Sequence, residues 1–302
     1  MAACTTPIAP PRSAPLVDYH EHLVSPAFPT IVKLPPRDGS ELVRRLDAAG
    51  IDRAVVLSVG YTFADERKGF ANPDELTRKE NDWTSAQVVA NAPRLIGFCS
   101  ANPLRASALP ELQRCLRLPG MTGIKLHLGN SGVSLRKPDH VAALQQVFGL
   151  AQRLRVPVLV HMRARGGENY GGEDARVFLE QVVPQAPGVD IIVAHMGGGG
   201  SYPDQVDEVM AAFGDAAQRG DTRMKNVYFD VSGVVTEGAT PADGALVAKR
   251  IRQVGARRIL YGSDTSPPGG TIRAGWEIFR SKVPLTSAEL QTIMTNRLRF
   301  VR

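Results

Sequence analysis

Leu16-Val17-Asp18-Tyr19-His20-Glu21-His22 is an apolar start that runs into two histidines one residue apart. Side chains alternate along a β-strand with period two, so His20 and His22 lie on one side of it and both rings reach a single metal ion. Three later apolar runs end in a similar way. Val158-Leu159-Val160 leads to His161, Ile191-Ile192-Val193-Ala194 to His195, and Ile259-Leu260-Tyr261-Gly262-Ser263 to Asp264. Imidazole and carboxylate are ordinary ligands for zinc and related divalent ions. Their recurrence at strand ends points to a metal-dependent enzyme.

Working outward, strand-like segments fall at 16–20, 53–59, 94–100, 123–127, 156–161, 190–195, 226–231 and 258–262. They alternate with helix-like segments at 40–49, 74–91, 105–117, 139–154, 174–186, 204–218, 242–254 and 271–281, and another helix near 286–296 follows. The strand candidates are short, continuous and rich in Val, Ile and Leu, as expected when both faces are covered. Eight such units predict a single-domain (β/α)8 TIM barrel over residues 16–302. A doubly wound open sheet is the rival, but no glycine-rich phosphate loop follows the first strand. The run Gly197–Gly200 lacks the GxGxxG spacing and the acidic ribose partner, so it reads as a tight backbone turn. The long segments 23–38, 60–73, 162–172 and 263–270 all follow strand C-termini, the barrel end that carries active sites.

The 302 residues, 43% of them hydrophobic, support a substantial core without staples. Residues 1–15 hold Pro7, Pro10, Pro11 and Pro15 without apolar periodicity and read as a flexible leader. The net charge of +6 is scattered along the chain, which fits a solvated basic surface and not a nucleic-acid site. No run approaches the roughly 18 to 20 apolar residues of a membrane span. Cys4, Cys99 and Cys115 form no CxxC pair, and their odd number argues against a disulfide framework. Cys99 and Cys115 read as packed thiols. Met1-Ala2-Ala3-Cys4 resembles the end of a bacterial lipoprotein signal without its hydrophobic part, so an exported protein is the alternative to a cytoplasmic one.

Asp18 shares the parity of the two histidines but sits deeper, where it orients a ligating ring. A carboxylate at Asp264 can touch the metal and take a proton from water. His195 has two open roles, ligand or general acid/base. Lys125 and His127 share a face of the fourth strand. Arg163 continues the inward alternation after His161, with Arg165 and Tyr170 in the same loop. Arginine suits bidentate recognition of a carboxylate, so an acidic substrate is expected. Arginine–backbone contacts that stabilise the loop are the plainer alternative. His140 reads as solvent-exposed.

The segments Val17–His22, Gly123–His127, Val158–His161, Ile192–Gly198, Asn226–Asp230, Ile259–Asp264 and Asn296-Arg297-Leu298 together resemble the amidohydrolase superfamily. The likeness is to the amidohydrolase-2 branch, which contains aminocarboxymuconate-semialdehyde decarboxylase-like enzymes, and it covers roughly residues 16–300. The resemblance implies one divalent ion, usually zinc, held by His20, His22, His161 and Asp264, with a catalytic role for His195. Some relatives carry a carboxylated lysine that bridges two metals, which Lys125 could supply. The plainer role for Lys125 is a salt-bridged or substrate-facing one, and His127 is expected to line the pocket. Hydrolysis of a small molecule by metal-activated water is the expected reaction, the bond being an amide, a lactone or another ester. Non-oxidative decarboxylation of an unsaturated or aromatic acid at the same site is the alternative. Relatives are often dimers, so a homodimer is also expected.

Overall fold

The computed structural model describes residues 13–27, 36–163, 170–199, 202, 204–265 and 270–301. Eight strands form one parallel sheet in sequence order. They are β1 (Val17–Glu21), β2 (Arg53–Leu57), β3 (Leu95–Ser100), β4 (Met121–His127), β5 (Val158–His161), β6 (Ile191–Val193), β7 (Val227–Asp230) and β8 (Ile259–Leu260). The helices are α1 (Gly39–Ala49), α2 (Pro73–Ala90), α3 (Ala108–Cys115), α4 (Pro138–Leu154), α5 (Gly172–Val177), α6 (Asp204–Gln218), α7 (Pro241–Val254), α8 (Ile272–Lys282) and α9 (Ser287–Thr295). The expected TIM barrel is therefore the fold. A π turn at Phe178–Val182 and a 3-10 turn at Val183–Gln185 extend α5 over the stretch expected to be helical.

Local chemistry sets several boundaries. Asp38 accepts the Glu41 N–H at the start of α1, and Gly50 at φ +75° ends that helix. Thr240 with Asp243, and Thr286 with Glu289, form capping boxes at α7 and α9. Strands β6 and β8 are shorter than expected. The chain leaves the ladder at the left-handed residues His195 and Met196 after β6, and at Asp264 beyond β8.

The sheet closes on itself through two backbone bonds. The Tyr19 N–H donates to the Tyr261 carbonyl at 2.9 Å, and the Asp264 N–H to the His20 carbonyl at 2.8 Å. Inside, Val17, Tyr19, Val55, Leu57, Phe98, Leu159, Ile192 and Leu260 fill the lower barrel. Leu298 and Val301 join this cluster, and the Leu298 N–H donates to the Tyr19 hydroxyl at 2.8 Å. The larger apolar cluster lies between the sheet and the helices. Ser13 accepts the Trp276 indole N–H and Ala14 is buried, so the described start of the chain packs against α8. Cys4 and the rest of the leader to residue 12 lie outside the described residues. No helix among the described residues is long and apolar enough to cross a membrane.

The reading of Cys99 and Cys115 as packed thiols is corrected: they form a disulfide between β3 and the end of α3. Cys99 faces outward from the sheet, and the buried face of α3 (Ala108, Leu112, Cys115) lies against it. Counting cysteines could not reveal this pair, because Cys4 makes the total odd. Denatured without reductant, the protein is expected to take up one alkylating group, and three after reduction, as read by intact mass. Three without reductant would show that the bridge is not formed.

Candidate metal centre

Strict alternation from Val17 and Tyr19, both inside the barrel, would turn Glu21 inward and the two histidines outward. The ladder shifts instead. Asp18 pairs with Ala54 and Glu21 with Val56, so β1 carries an extra residue between them. This bulge turns His20 and His22 into the barrel mouth. Asp18 consequently does not face with the histidines, contrary to expectation. Its carboxyl accepts the backbone N–H groups of His20 at 3.1 Å and Ser263 at 3.0 Å.

Asp230, at the end of β7, holds the His20 ring instead: Nδ1–H donates to Oδ2 at 2.9 Å. His22 Nδ1–H donates to the Leu57 carbonyl at 2.8 Å, and His195 Nδ1–H to the Ser232 carbonyl at 2.8 Å. A neutral imidazole has one proton, so in all three rings the lone pair is left on Nε2. His22 Nε2 and His195 Nε2 each stand 3.8 Å from an oxygen of Asp264. His20, His195 and Asp264 present ligand atoms within 4.8 Å of one another. Gly262 is needed beneath them, since a Cβ there would come 2.8 Å from the His20 Cβ.

Electrostatics match this arrangement. Burial, then the Lys125 charge, pushes His22 down to about 3, and His20 is lowered by the same two causes. Both rings are neutral at ordinary pH. Burial pushes Asp264 up, but the positive charge its neighbours can carry, the Lys125 ammonium among them, more than reverses this and holds it well below the usual carboxylate range. Asp230 is likewise raised by burial and brought far below that range by His20. Burial lowers the Lys125 ammonium to about 8, and its Nζ lies 3.3 Å from His20 Nε2.

His161 is placed differently from the other rings. It stacks on His127 with centroids 3.9 Å apart and lies 5.0 Å from the His195 ring. Its Nδ1 is buried with no hydrogen-bond partner among the described residues. Gly199 packs close to His161 Nε2, and a side chain at Gly199 would crowd it. This close approach is one reason for the glycine run. His127 accepts the Asn130 N–H at 3.1 Å and packs on Tyr61. Arg163 runs past Gly199 beside His161, whereas Arg165, Gly200 and the prolines after Asp264 lie outside the described residues. Tyr170 is buried and donates to the Gly197 carbonyl. His140, expected in solvent, is half-buried and accepts the Ser134 N–H at 3.0 Å.

Three supporting residues escaped the sequence reading. Asp230 was legible only as another strand end. Glu21 and Arg37 form a buried ion pair at 3.0 Å, with side chains 0% and 2% exposed. Glu21 Oε1 accepts hydrogen bonds from Ser263 and Thr265, each at 2.6 Å. Ser263 Oγ also lies 2.5 Å from Asp18 Oδ2. One hydroxyl proton cannot serve two carboxylates. Burial, then the neighbouring Glu21, pushes Asp18 well up, and burial raises Glu21 as well.

The donor set suits a divalent cation: neutral imidazoles with lone pairs turned inward, one ionised carboxylate and an orphaned buried nitrogen. The amidohydrolase family model matches residues 17–296. The structure is similar to that of 2,6-dihydroxybenzoate decarboxylase complexed with 2,6-dihydroxybenzoate, with 18% identity, a TM-score of 0.62, and coverage of 95% of this chain and 99% of that one. It is also similar to 5-carboxyvanillate decarboxylase from Sphingomonas paucimobilis (17% identity, TM-score 0.64, 93% and 97% covered). A probable 2-pyrone-4,6-dicarboxylic acid hydrolase from Acinetobacter baumannii is a third (17% identity, TM-score 0.56, 92% and 95% covered). At these identities the likeness is one of fold. A comparison with curated protein sequences gives no match.

Asp230→Asn replaces the acceptor of the His20 ring proton with a group that also donates. The variant is expected to bind zinc about 10- to 100-fold more weakly than the parent, as measured by chelator competition. Unchanged affinity would remove Asp230 from the orientation of His20.

Proposed function

The chain belongs to the amidohydrolase family, and from that premise we propose that it is a metal-dependent hydrolase of a small molecule, acting on an amide, a lactone or another ester. One observation carries the reading. Three rings donate Nδ1–H away from the barrel mouth and leave their Nε2 lone pairs beside Asp264.

His20, His22, His161 and Asp264 are the residues that would hold the cation. His161 is included because its buried Nδ1 is otherwise unpaired. His195 keeps its Nδ1 proton on the Ser232 carbonyl and offers Nε2 to the reacting atoms. A divalent ion, zinc by preference, supplies Lewis acidity, polarising a substrate oxygen and acidifying water. Asp264, ionised at neutral pH, accepts a proton from the attacking water. His195, whose Nε2 lies 3.8 Å from that carboxylate, passes the proton to the leaving group. Lys125 and His127 line the substrate side of β4. Arg163, beside His161, binds an acidic group on the substrate.

The same Arg163 favours a second reading, decarboxylation of an unsaturated or aromatic acid. Two of the similar structures are described as decarboxylases of aromatic acids. Here His195 would take a proton from water at Nε2 and pass it to the substrate carbon, whose bond to the carboxylate then breaks to release carbon dioxide. A panel of lactones, amides and aromatic acids, followed by pH change, by free amine and by released carbon dioxide, separates the two reactions. Acidification without carbon dioxide is the result expected for hydrolysis of a lactone or ester, and a free amine without carbon dioxide for an amide, whereas release of carbon dioxide decides for decarboxylation.

His161→Ala is expected to lose bound metal. His195→Ala is expected to retain it, with turnover reduced by about 10²- to 10⁴-fold. Metal analysis of the two purified variants, paired with turnover, checks this. Metal loss in both would make His195 a ligand.

A further inference from the structure

Asp264 has a left-handed backbone, φ +47°, that a residue with a Cβ adopts only when its surroundings impose it. Both of its neighbours are held from outside their own segment. Ser263 N–H donates to Asp18 at 3.0 Å, and the Ser263 hydroxyl lies 2.6 Å from Glu21 Oε1. The Thr265 hydroxyl donates to the same Glu21 oxygen at 2.6 Å. Arg37 Nη1 donates to the Thr265 carbonyl at 2.6 Å. Its Nη2 donates to Glu21 Oε2 at 3.0 Å and to the His22 carbonyl. Arg37 itself enters from the segment after β1, where it forms an antiparallel bridge with Val24. One guanidinium thus ties the backbone next to Asp264 to the backbone of His22. Glu21, between the two histidines and turned away from them by the bulge, anchors the residues on either side of Asp264.

We propose that Arg37 and Glu21 act as a positioning clamp that imposes the left-handed turn at Asp264 and so sets where its carboxylate stands relative to His22 and His195. Neither residue touches the reacting atoms. A buried ion pair is a poor source of net stability, because desolvation offsets its attraction. A planar fork that bonds two carbonyls and a carboxylate does fix geometry, which an ammonium on a flexible stem does not match. The consequence for metal binding rests on the metal-centre reading above, whereas the clamp on the backbone does not.

The test compares Arg37→Met, Arg37→Lys and Thr265→Val with the parent full-length protein. Hydrogen exchange of the amides in 261–265 reports on the clamp without any metal. Zinc affinity by chelator competition reports on its consequence, and melting temperature reports on general stability. Arg37→Met is expected to speed exchange of the Ser263 and Asp264 amides at least 10-fold and to weaken zinc binding by 10- to 100-fold. Arg37→Lys should recover part of both, and Thr265→Val should show a smaller change in the same direction. Should Arg37→Met fail to fold, Thr265→Val carries the test, since it removes a single hydroxyl. A lower melting temperature with unchanged amide exchange and unchanged zinc affinity would overturn the proposal. If the parent takes up no divalent ion, the metal-centre reading fails and the exchange measurement still decides the clamp.

Discussion

A neutral imidazole has one proton and one lone pair, and the acceptor that takes the proton decides where the lone pair points. In this barrel three acceptors make that choice: the Asp230 carboxylate and the carbonyls of Leu57 and Ser232. All three receive Nδ1 protons, so the Nε2 lone pairs are left near Asp264, that of His20 also lying 3.3 Å from Lys125 Nζ. Asp230 has a second task, because its other oxygen accepts the His195 N–H at 3.0 Å and so fixes the turn carrying that ring. A single carboxylate at the end of β7 therefore registers residues from β1 and from the turn after β6.

The backbone deviates from regular geometry where the site is built. A bulge in β1 reverses the facing of His20 and His22. Left-handed residues at His195, Met196 and Asp264 redirect the ends of β6 and β8. Such conformations cost on the order of 1–3 kcal/mol each. The rest of the barrel, with its continuous parallel ladder and closely packed interior, can absorb such costs. Regular strands below and irregular turns above divide the chain into a part that stabilises and a part that positions.

That division also explains what the sequence made legible. The alternation of Val-, Ile- and Leu-rich runs with helical stretches is a local pattern, and it identifies the barrel and most element boundaries. The clustering of candidate ligands at strand ends was legible for the same reason. Parity arguments stop at a bulge, however, because one extra residue turns every following side chain to the opposite face. Asp18 was assigned to the wrong side for that reason. Asp230 and Arg37 owe their roles to partners far away in sequence, such as the His20 contact across 210 positions, and no local pattern encodes those. The Cys99–Cys115 bridge was hidden by an odd count that included an unrelated residue near the start of the chain.

Closure between β8 and β1 rests on a sparse backbone ladder. Strand β8 pairs with β7 at only two positions, and β1 meets the following segment through the two backbone bonds at Tyr19 and Asp264. Side chains make up for the missing ladder along this seam: Asp18 and Glu21 hold Ser263 and Thr265, and Arg37 holds the Thr265 carbonyl. His20 and His22 stand on one lip of that seam and Asp264 on the other. An ion gripped by all three would be one more rivet across that joint, and by mass action would favour the shut cylinder over any gaping form.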